Sequence, residues 1–306
     1  EGFMAAKVFV EGLRHVKGEP TRKGHDLYAL AYAKSFSVTP EAVMENKKAG
    51  GDWRQIGKVM ELALGYEGGV GAFITFAAAY GIDLEELADK AFRQIPQDIM
   101  AQAQIMFDWH CGKKKKDPAA AVGLSKKAWL VCESFKLAWR EAHPNIKLFW
   151  GDLADTVRAA IWQPGVTMRC RMLKIRRDGK WLRIVLPSGR ALCYPSPEVD
   201  EDGTISYMGM NQYSRAWSRI KTYGGKLAEN VTQAVARDVM GENMPEVEDY
   251  GYDIVLSVHD ELITEAEDVP ARNANELAGI LARVPEWAEG LPLAAAGFDA
   301  YRYKKD

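Results

Sequence analysis

The chain has 306 residues, of which 47% are hydrophobic, 10% aromatic and 27% charged. That composition excludes a disordered chain, and the length allows one large or two modest domains without disulfide or metal staples. Forty Lys+Arg against 42 Asp+Glu, a formal charge of −2, exclude the global basicity of a general nucleic-acid coat. The charge is nevertheless unevenly distributed. Four cysteines, Cys111, Cys132, Cys170 and Cys193, show no CxxC or regular pairing and read as reduced thiols of a cytoplasmic protein. No run approaches the ~18 apolar residues of a membrane span, so no membrane partner is expected.

In chain order, the first third reads as helical. Leu27, Leu30, Ala31 and Lys34 recur at helix spacing, and Pro40 opens the next helix. Further helices are expected at about 52–65, 84–92 and 98–109, with Lys113–Lys116 in a solvated loop. Gly65, Gly68, Gly69 and Gly71 match no phosphate-loop pattern and read as a flexible helix end. Two amphipathic helices follow, marked by Trp129, Cys132, Phe135 and Trp139, then by Phe149, Leu153, Val157 and Ile161. From Gly165 to Tyr194 the pattern turns short and alternating, with Asp178-Gly179 as a hairpin signal. Gly165–Arg190 holds eight basic residues and one acid. After a loop at 197–204, a helix is expected at about 225–240. A strand–turn–strand, DIVLSVHDELITE, comes next, within a stretch (241–271) that has ten acids and no Lys or Arg. The fold class is α+β, mostly α-helical, with small antiparallel sheets.

Three constellations could carry chemistry. Arg54, Lys58, Leu62 and Tyr66 are spaced by four, so they share one helix face whose two cations suit a polyphosphate. An ordinary solvated basic face is the alternative. His259-Asp260-Glu261 stands at a hairpin tip, where a carboxylate suits Mg²⁺, although Asp is also common in turns for backbone reasons. Lys226, Asn230, Gln233 and Arg237 form a polar helix stripe that fits sequence-blind minor-groove acceptors, or merely a solvated face. His25, His110 and His143 lack ligand spacing and read as structural.

Together the three resemble family A DNA polymerases, especially the phage-type branch. The Arg54–Lys58–Leu62–Tyr66 row resembles motif B of the fingers, and SVHDEL, Ser257–Leu262, resembles motif C of the palm. Lys221–Asp238 resembles the segment that phage enzymes carry between them, and PLAAAGFDAYRYKKD resembles the C-terminus of such polymerases. The resemblance implies right-hand polymerase fingers and palm: a palm/fingers junction at 1–28, fingers at 29–213 with a basic β-rich segment at about 165–194, and C-terminal palm at 214–306. It further implies that Arg54 and Lys58 bind the triphosphate of a deoxynucleoside triphosphate and that Tyr66 packs at the nascent base pair. Leu62 stands where the family usually has Phe or Tyr. Asp260 would hold Mg²⁺ (or Mn²⁺ in its place), with Glu261 nearby and His259 in the turn. Gln233, and with less regular spacing Asn230, would touch the minor groove beside Lys226 and Arg237. The basic segment, including Arg176 and Arg177, would face phosphates of primer-template DNA.

The family's two-metal site needs a second Asp from motif A, D-[FY]-S-x-[IL]-E, which does not occur in the 306 residues. The resemblance places that motif just before EGFMAAKVF, so the expected partner is an N-terminal polymerase portion carrying it. The expectation is a template-directed DNA polymerase, inactive without that portion and working in host cytoplasm if phage-encoded. A non-catalytic DNA- or nucleotide-binding prophage remnant is the alternative.

Overall fold

The computed structural model describes residues 26–114, 116–212 and 214–302. His25 and nearly all of the expected junction at 1–28 lie outside them. The described residues form ten α-helices and three antiparallel sheets, an α+β fold in which helix predominates. None of the described helices is long and apolar enough to cross a membrane.

Helix α1 (Leu27–Phe36) starts where Asp26 accepts from the backbone N–H groups of Tyr28 and Ala29, both at 3.1 Å. An N-cap of this kind satisfies donors that the first helical turn leaves unpaired. Thr39 caps α2 (Pro40–Lys48), with Pro40 at the first position. Helix α3 (Trp53–Leu64) buries Ile56, Val59, Met60, Ala63 and Leu64 on one face. The glycine-rich segment after it departs from expectation, because Val70–Ala79 forms α4 with Gly71 inside it. Phe73 and Ala77 of α4 are fully buried, so packing overrides the poor helix propensity of glycine. Helix α5 (Leu84–Ala91) matches its pattern. Helix α6 (Gln97–Lys114) outruns its expected end, and Lys113 is helical instead of looped, its ammonium 4.6 Å above the Trp109 ring.

Helices α7 (Lys126–Ala142) and α8 (Pro144–Trp162) supply the centre of the core, with Phe135, Trp139, Leu153 and Val157 essentially inaccessible. The β-rich segment follows as strands β1 (Thr167–Cys170), β2 (Leu173–Asp178), β3 (Trp181–Val185) and β4 (Ala191–Pro195), each paired to the next. The Asp178-Gly179 turn joins β2 to β3 as expected, with Gly179 at φ +55° and Asp178 opposite Trp181. Alternation turns Leu173, Ile175, Leu182, Ile184 and Tyr194 into the same core, and Arg177 caps the end of α8 by donating to Ile161 O at 3.0 Å. A second sheet, β5 (Glu198–Val199), β6 (Ile205–Met210) and β7 (Trp217–Thr222), occupies residues that sequence alone left as loop or unassigned.

Helix α9 (Gly224–Asp249) runs well beyond its expected end near Met240 and passes through Pro245. Past that proline its last buried residue, Val247, leaves the main core and joins Tyr252 and Ile280 in a small separate cluster. The partners there are strands β8 (Asp253–Val258) and β9 (Glu261–Glu265) and helix α10 (Ala274–Leu281). Asn243 ties them down by donating to the carbonyls of Leu281 and Arg283. All four cysteines are free, and burial pushes the Cys132 thiol up to about 12.

His143, at the α7–α8 junction, is structural, as expected. Its ring stacks on Trp139 at 4.3 Å, its Nδ1 lies 2.8 Å from Trp139 O, and burial lowers its pKa to about 4. The ring is therefore neutral at neutral pH, and its 3.6 Å approach to Glu61 Oε1 is not an ion pair there. A folded-state pKa below the unfolded value of about 6.5 means that the unfolded chain binds the proton first. Stability contributed by neutral His143 is fully present above about pH 6.5 and is lost as pH falls towards 4. Urea midpoints measured between pH 7.5 and 4.5 should fall with pH, and His143→Gln should flatten that slope.

Candidate nucleotide- and metal-binding site

Arg54, Lys58 and Leu62 lie on α3, but the helix ends at Leu64 and Tyr66 falls in the turn beyond it, so the helix face carries three of the four expected residues. Arg54, Lys58, Leu62 and Tyr66 are each half-buried. Asp26, having capped α1, turns its second oxygen to Arg54 Nη2 at 2.7 Å. The Arg54 guanidinium lies 5.1 Å from the Tyr28 ring centre, and its Nε is buried with no hydrogen-bond partner. A buried donor without an acceptor is costly, by about 1–3 kcal/mol. The Lys58 ammonium sits over two rings, Tyr80 at 4.5 Å and Tyr28 at 5.9 Å. Its position is set by aromatic faces, and no carboxylate among the described residues pairs with it. Tyr28 and Tyr80 were not foreseen as site residues. They reach Lys58 only because α1 and α4 pack against α3, which no local spacing encodes.

That packing is unusually close. A Cβ built on Gly57 would fall 2.1 Å from Tyr28 O, so only glycine lets α1 lie this near α3. At the far end of the row, Tyr66 leads into Glu67, a non-glycine residue in left-handed conformation at φ +67°. Glu67 Oε2 accepts from the backbone N–H of Gly225 at 2.8 Å, placing a carboxylate at the positive end of α9. Arg140 of α7 donates to the carbonyls of Glu67 and Gly68, each at 3.2 Å. The turn after α3 and the start of α9 thus share one joint.

Along that stripe, Asn230 donates to the Tyr194 hydroxyl at 3.0 Å, and burial raises that phenol to about 12. Lys226 pairs with Glu229 at 2.9 Å, and Gln233 donates to Glu229 at 3.3 Å. Gln233 and Arg237 are exposed, whereas Lys226 and Asn230 are half-buried. Asn230 is therefore committed to holding α9 on the four-stranded sheet, while Gln233 and Arg237 point to solvent.

The hairpin tip is built differently. His259 and Asp260 form the two-residue turn between β8 and β9, closed by the Val258–Glu261 pair. His259 takes φ +53°, a mildly strained conformation for a side chain with a Cβ. His259, Asp260 and Glu261 are exposed and make no side-chain hydrogen bond or ion pair with described residues. No group of three His, Cys, Asp or Glu residues able to hold a metal occurs among the described residues. Mg²⁺ takes only one or two protein carboxylates and fills its octahedron with phosphate oxygens and water. Asp260 and Glu261 therefore fit one side of a magnesium site, and no described contact links them to the α3 row. A separate cleft of about 500 Å³ lies between the end of α8 and the β5–β7 sheet, and none of its lining residues comes from α3 or the β8–β9 hairpin.

Comparison with known proteins gives one finding on origin. The chain is 33% identical over 289 residues to a DNA polymerase of Bacillus phage SP02, and the match covers 92% of this chain. It covers 36% of the relative, so the chain spans about a third of the length of the curated relative it matches. No family profile and no solved structure matches. The chain is a distant homologue of a phage DNA polymerase.

Because the α1–α3 contact admits no side chain, Gly57→Ala should lower stability by about 1–3 kcal/mol despite the better helix propensity of Ala. Scanning calorimetry should show the lower melting temperature. Gly71→Ala, where the added Cβ would meet nothing within 4 Å, should not lower it.

Proposed function

We propose that this chain forms the fingers and C-terminal palm of a family A, phage-type DNA polymerase, a right-hand fold that adds deoxynucleotides to a primer 3′ end. The observation that carries the reading is the α3 row, two cations on one half-buried helix face, with Lys58 set over two aromatic rings and paired to no carboxylate among the described residues. Homology to a phage DNA polymerase supports it. In this reading residues 1–28 join palm to fingers, 29–213 are fingers and 214–306 are palm.

Each side chain then has a physical task. Lys58, on its two rings, meets the outer phosphates as a point charge, and Arg54, preset by Asp26, offers N–H donors in a fixed plane. Tyr66 sits at the joint with α9, where a templating base pair would end against it. Gln233 and Arg237 offer donors to minor-groove acceptors. Asp260, with Glu261 beside it and His259 shaping the turn, holds Mg²⁺ (or Mn²⁺) on its oxygen. When bound, the metal supplies charge neutralisation for the in-line displacement. The motif A pattern D-[FY]-S-x-[IL]-E does not occur in the 306 residues, and the proposed partner is a polymerase portion that carries it, in the cytoplasm of the phage host. Primer-template DNA and deoxynucleoside triphosphates complete the partners.

Two measurements test this. Lys58→Ala should weaken triphosphate binding by titration calorimetry tenfold or more, in keeping with a charge-assisted contact of about 1.5–3 kcal/mol, and should leave monophosphate binding nearly unchanged. Equal losses for both ligands would sink the role of Lys58. Primer extension should be absent with this chain alone and should appear with a co-expressed portion carrying motif A, provided Asp260 is intact. Asp260→Ala should abolish it. A formed complex that fails to extend would favour a non-catalytic DNA-binding remnant.

A further inference from the structure

The solvent face of the four-stranded sheet is an unpartnered cationic surface. Alternation along β1–β3 places Arg169, Lys174, Arg176, Arg183 and Trp181 on this face, all exposed. Arg169 and Lys174 stand directly opposite each other across β1 and β2, and Arg176 stands opposite Arg183 across β2 and β3. Facing side chains of this kind sit about 5 Å apart, and like charges so placed destabilise a sheet. The second pair is bridged by Asp178, at 2.6 Å from Arg176 and 3.1 Å from Arg183, and these contacts hold its carboxyl below the usual range. The first pair has no counter-ion among the described residues: neither Arg169 nor Lys174 makes a side-chain hydrogen bond, ion pair or ring contact with any of them. The face therefore carries four cations against one carboxylate. At its edge, Trp181 is 44% exposed, and no ring or cation of a described residue stacks on it.

We propose that this face binds a single strand of nucleic acid, with phosphates on Arg169 and Lys174 and an unpaired base stacked on Trp181. The proposal rests on the polymerase reading and gives its basic segment a specific ligand, an unpaired stretch such as a template overhang. Charge complementarity selects a polyanion. The free indole selects an unpaired base, since a duplex leaves no internal base face to stack against. Of the two arginines singled out from the sequence, Arg177 is on the other face, occupied by the carbonyls of Ile161 and Gly179, and Arg176 is half-neutralised by Asp178. The residues that carry binding are Arg169 and Lys174.

The test is fluorescence anisotropy of the full chain with a labelled oligothymidylate and with a labelled blunt duplex, over a range of salt. Arg169→Gln/Lys174→Gln should weaken single-strand binding and lower the salt-dependence slope by about 1.4, two phosphate contacts at about 0.7 each. It should not lower the melting temperature, because it removes a like-charge pair. Trp181→Ala should weaken single-strand binding at least about fivefold and leave duplex binding unchanged, and Trp181→Phe should restore most of the loss. Unchanged single-strand affinity in the double variant, or equal losses on duplex and single strand in Trp181→Ala, would overturn the proposal. Triphosphate titration on the same variants separates the two readings. Triphosphate binding should stay at the unsubstituted level here and fall only with Lys58→Ala.

Discussion

The start of α9 can lie against α8 and against the turn that follows α3 only because Gly224 and Gly225 have no side chains. A Cβ on Gly224 would lie 2.1 Å from Trp150 O of α8, and one on Gly225 would lie 2.2 Å from Tyr66 O in the turn after α3. Backbone contact this close brings Glu67 within reach of the first N–H groups of α9, and the carboxylate answers donors that would otherwise be buried unpaired. Arg140 then takes the carbonyls of Glu67 and Gly68. Burial lowers the pKa of that guanidinium, with the Glu67 charge opposing the shift. The turn after the helix that carries the candidate triphosphate cations is tied here to the start of the helix that carries the candidate minor-groove stripe.

Charge is distributed to match. Most of the basic β-rich segment is occupied internally: Arg190 pairs with Asp238 at 2.5 Å, and Arg177 closes the end of α8. Lys58, above its tyrosines, and the Arg169–Lys174 pair are among the cations that have no carboxylate partner among the described residues. The negative counterpart is the acidic C-terminal region, where Asp260 and Glu261 extend from a hairpin anchored to a small cluster separate from the main core. Against an overall charge of −2, the separation of signs is already present along the chain, in the basic stretch at 165–190 and the acidic stretch at 241–271.

Elements with strong, unambiguous periodicity were legible without coordinates. Helices α1, α3, α5, α7 and α8 follow from apolar residues at three and four, and the β2–β3 and β8–β9 hairpins from alternation around Asp-Gly and His-Asp. Helix α4 was not legible, because Val70–Ala79 is apolar on every side and follows several glycines, so no period marks a buried face. The β5–β7 sheet escaped because exposed cations and aromatics, Trp217, Arg219 and Lys221, occupy the alternating positions where a polar–apolar rhythm would signal a strand. The end of α9 was misjudged because Pro245 and the drop in apolar spacing near Met240 both argue for termination, whereas packing against α10 carries the helix on.

For the candidate site, sequence by itself determined the inventory. Spacing by four commits Arg54, Lys58 and Leu62 to one helix face, although not Tyr66, which falls in the turn past Leu64, and the hairpin pattern commits Asp260 to a turn, because helix and strand periodicities are local properties of the backbone. Tertiary structure alone decided what those side chains meet. Tyr28 and Tyr80 reach Lys58, Asp26 reaches Arg54, and Glu67 reaches Gly225 across separations in the chain that no local repeat spans. It also decided which basic residues stay free, since Arg176 and Arg177 are neighbours in sequence but a strand sends consecutive side chains to opposite faces. One of them then serves the core while the other faces solvent beside Asp178. Counter-ions are chosen by packing, and packing is known only when the chain has folded.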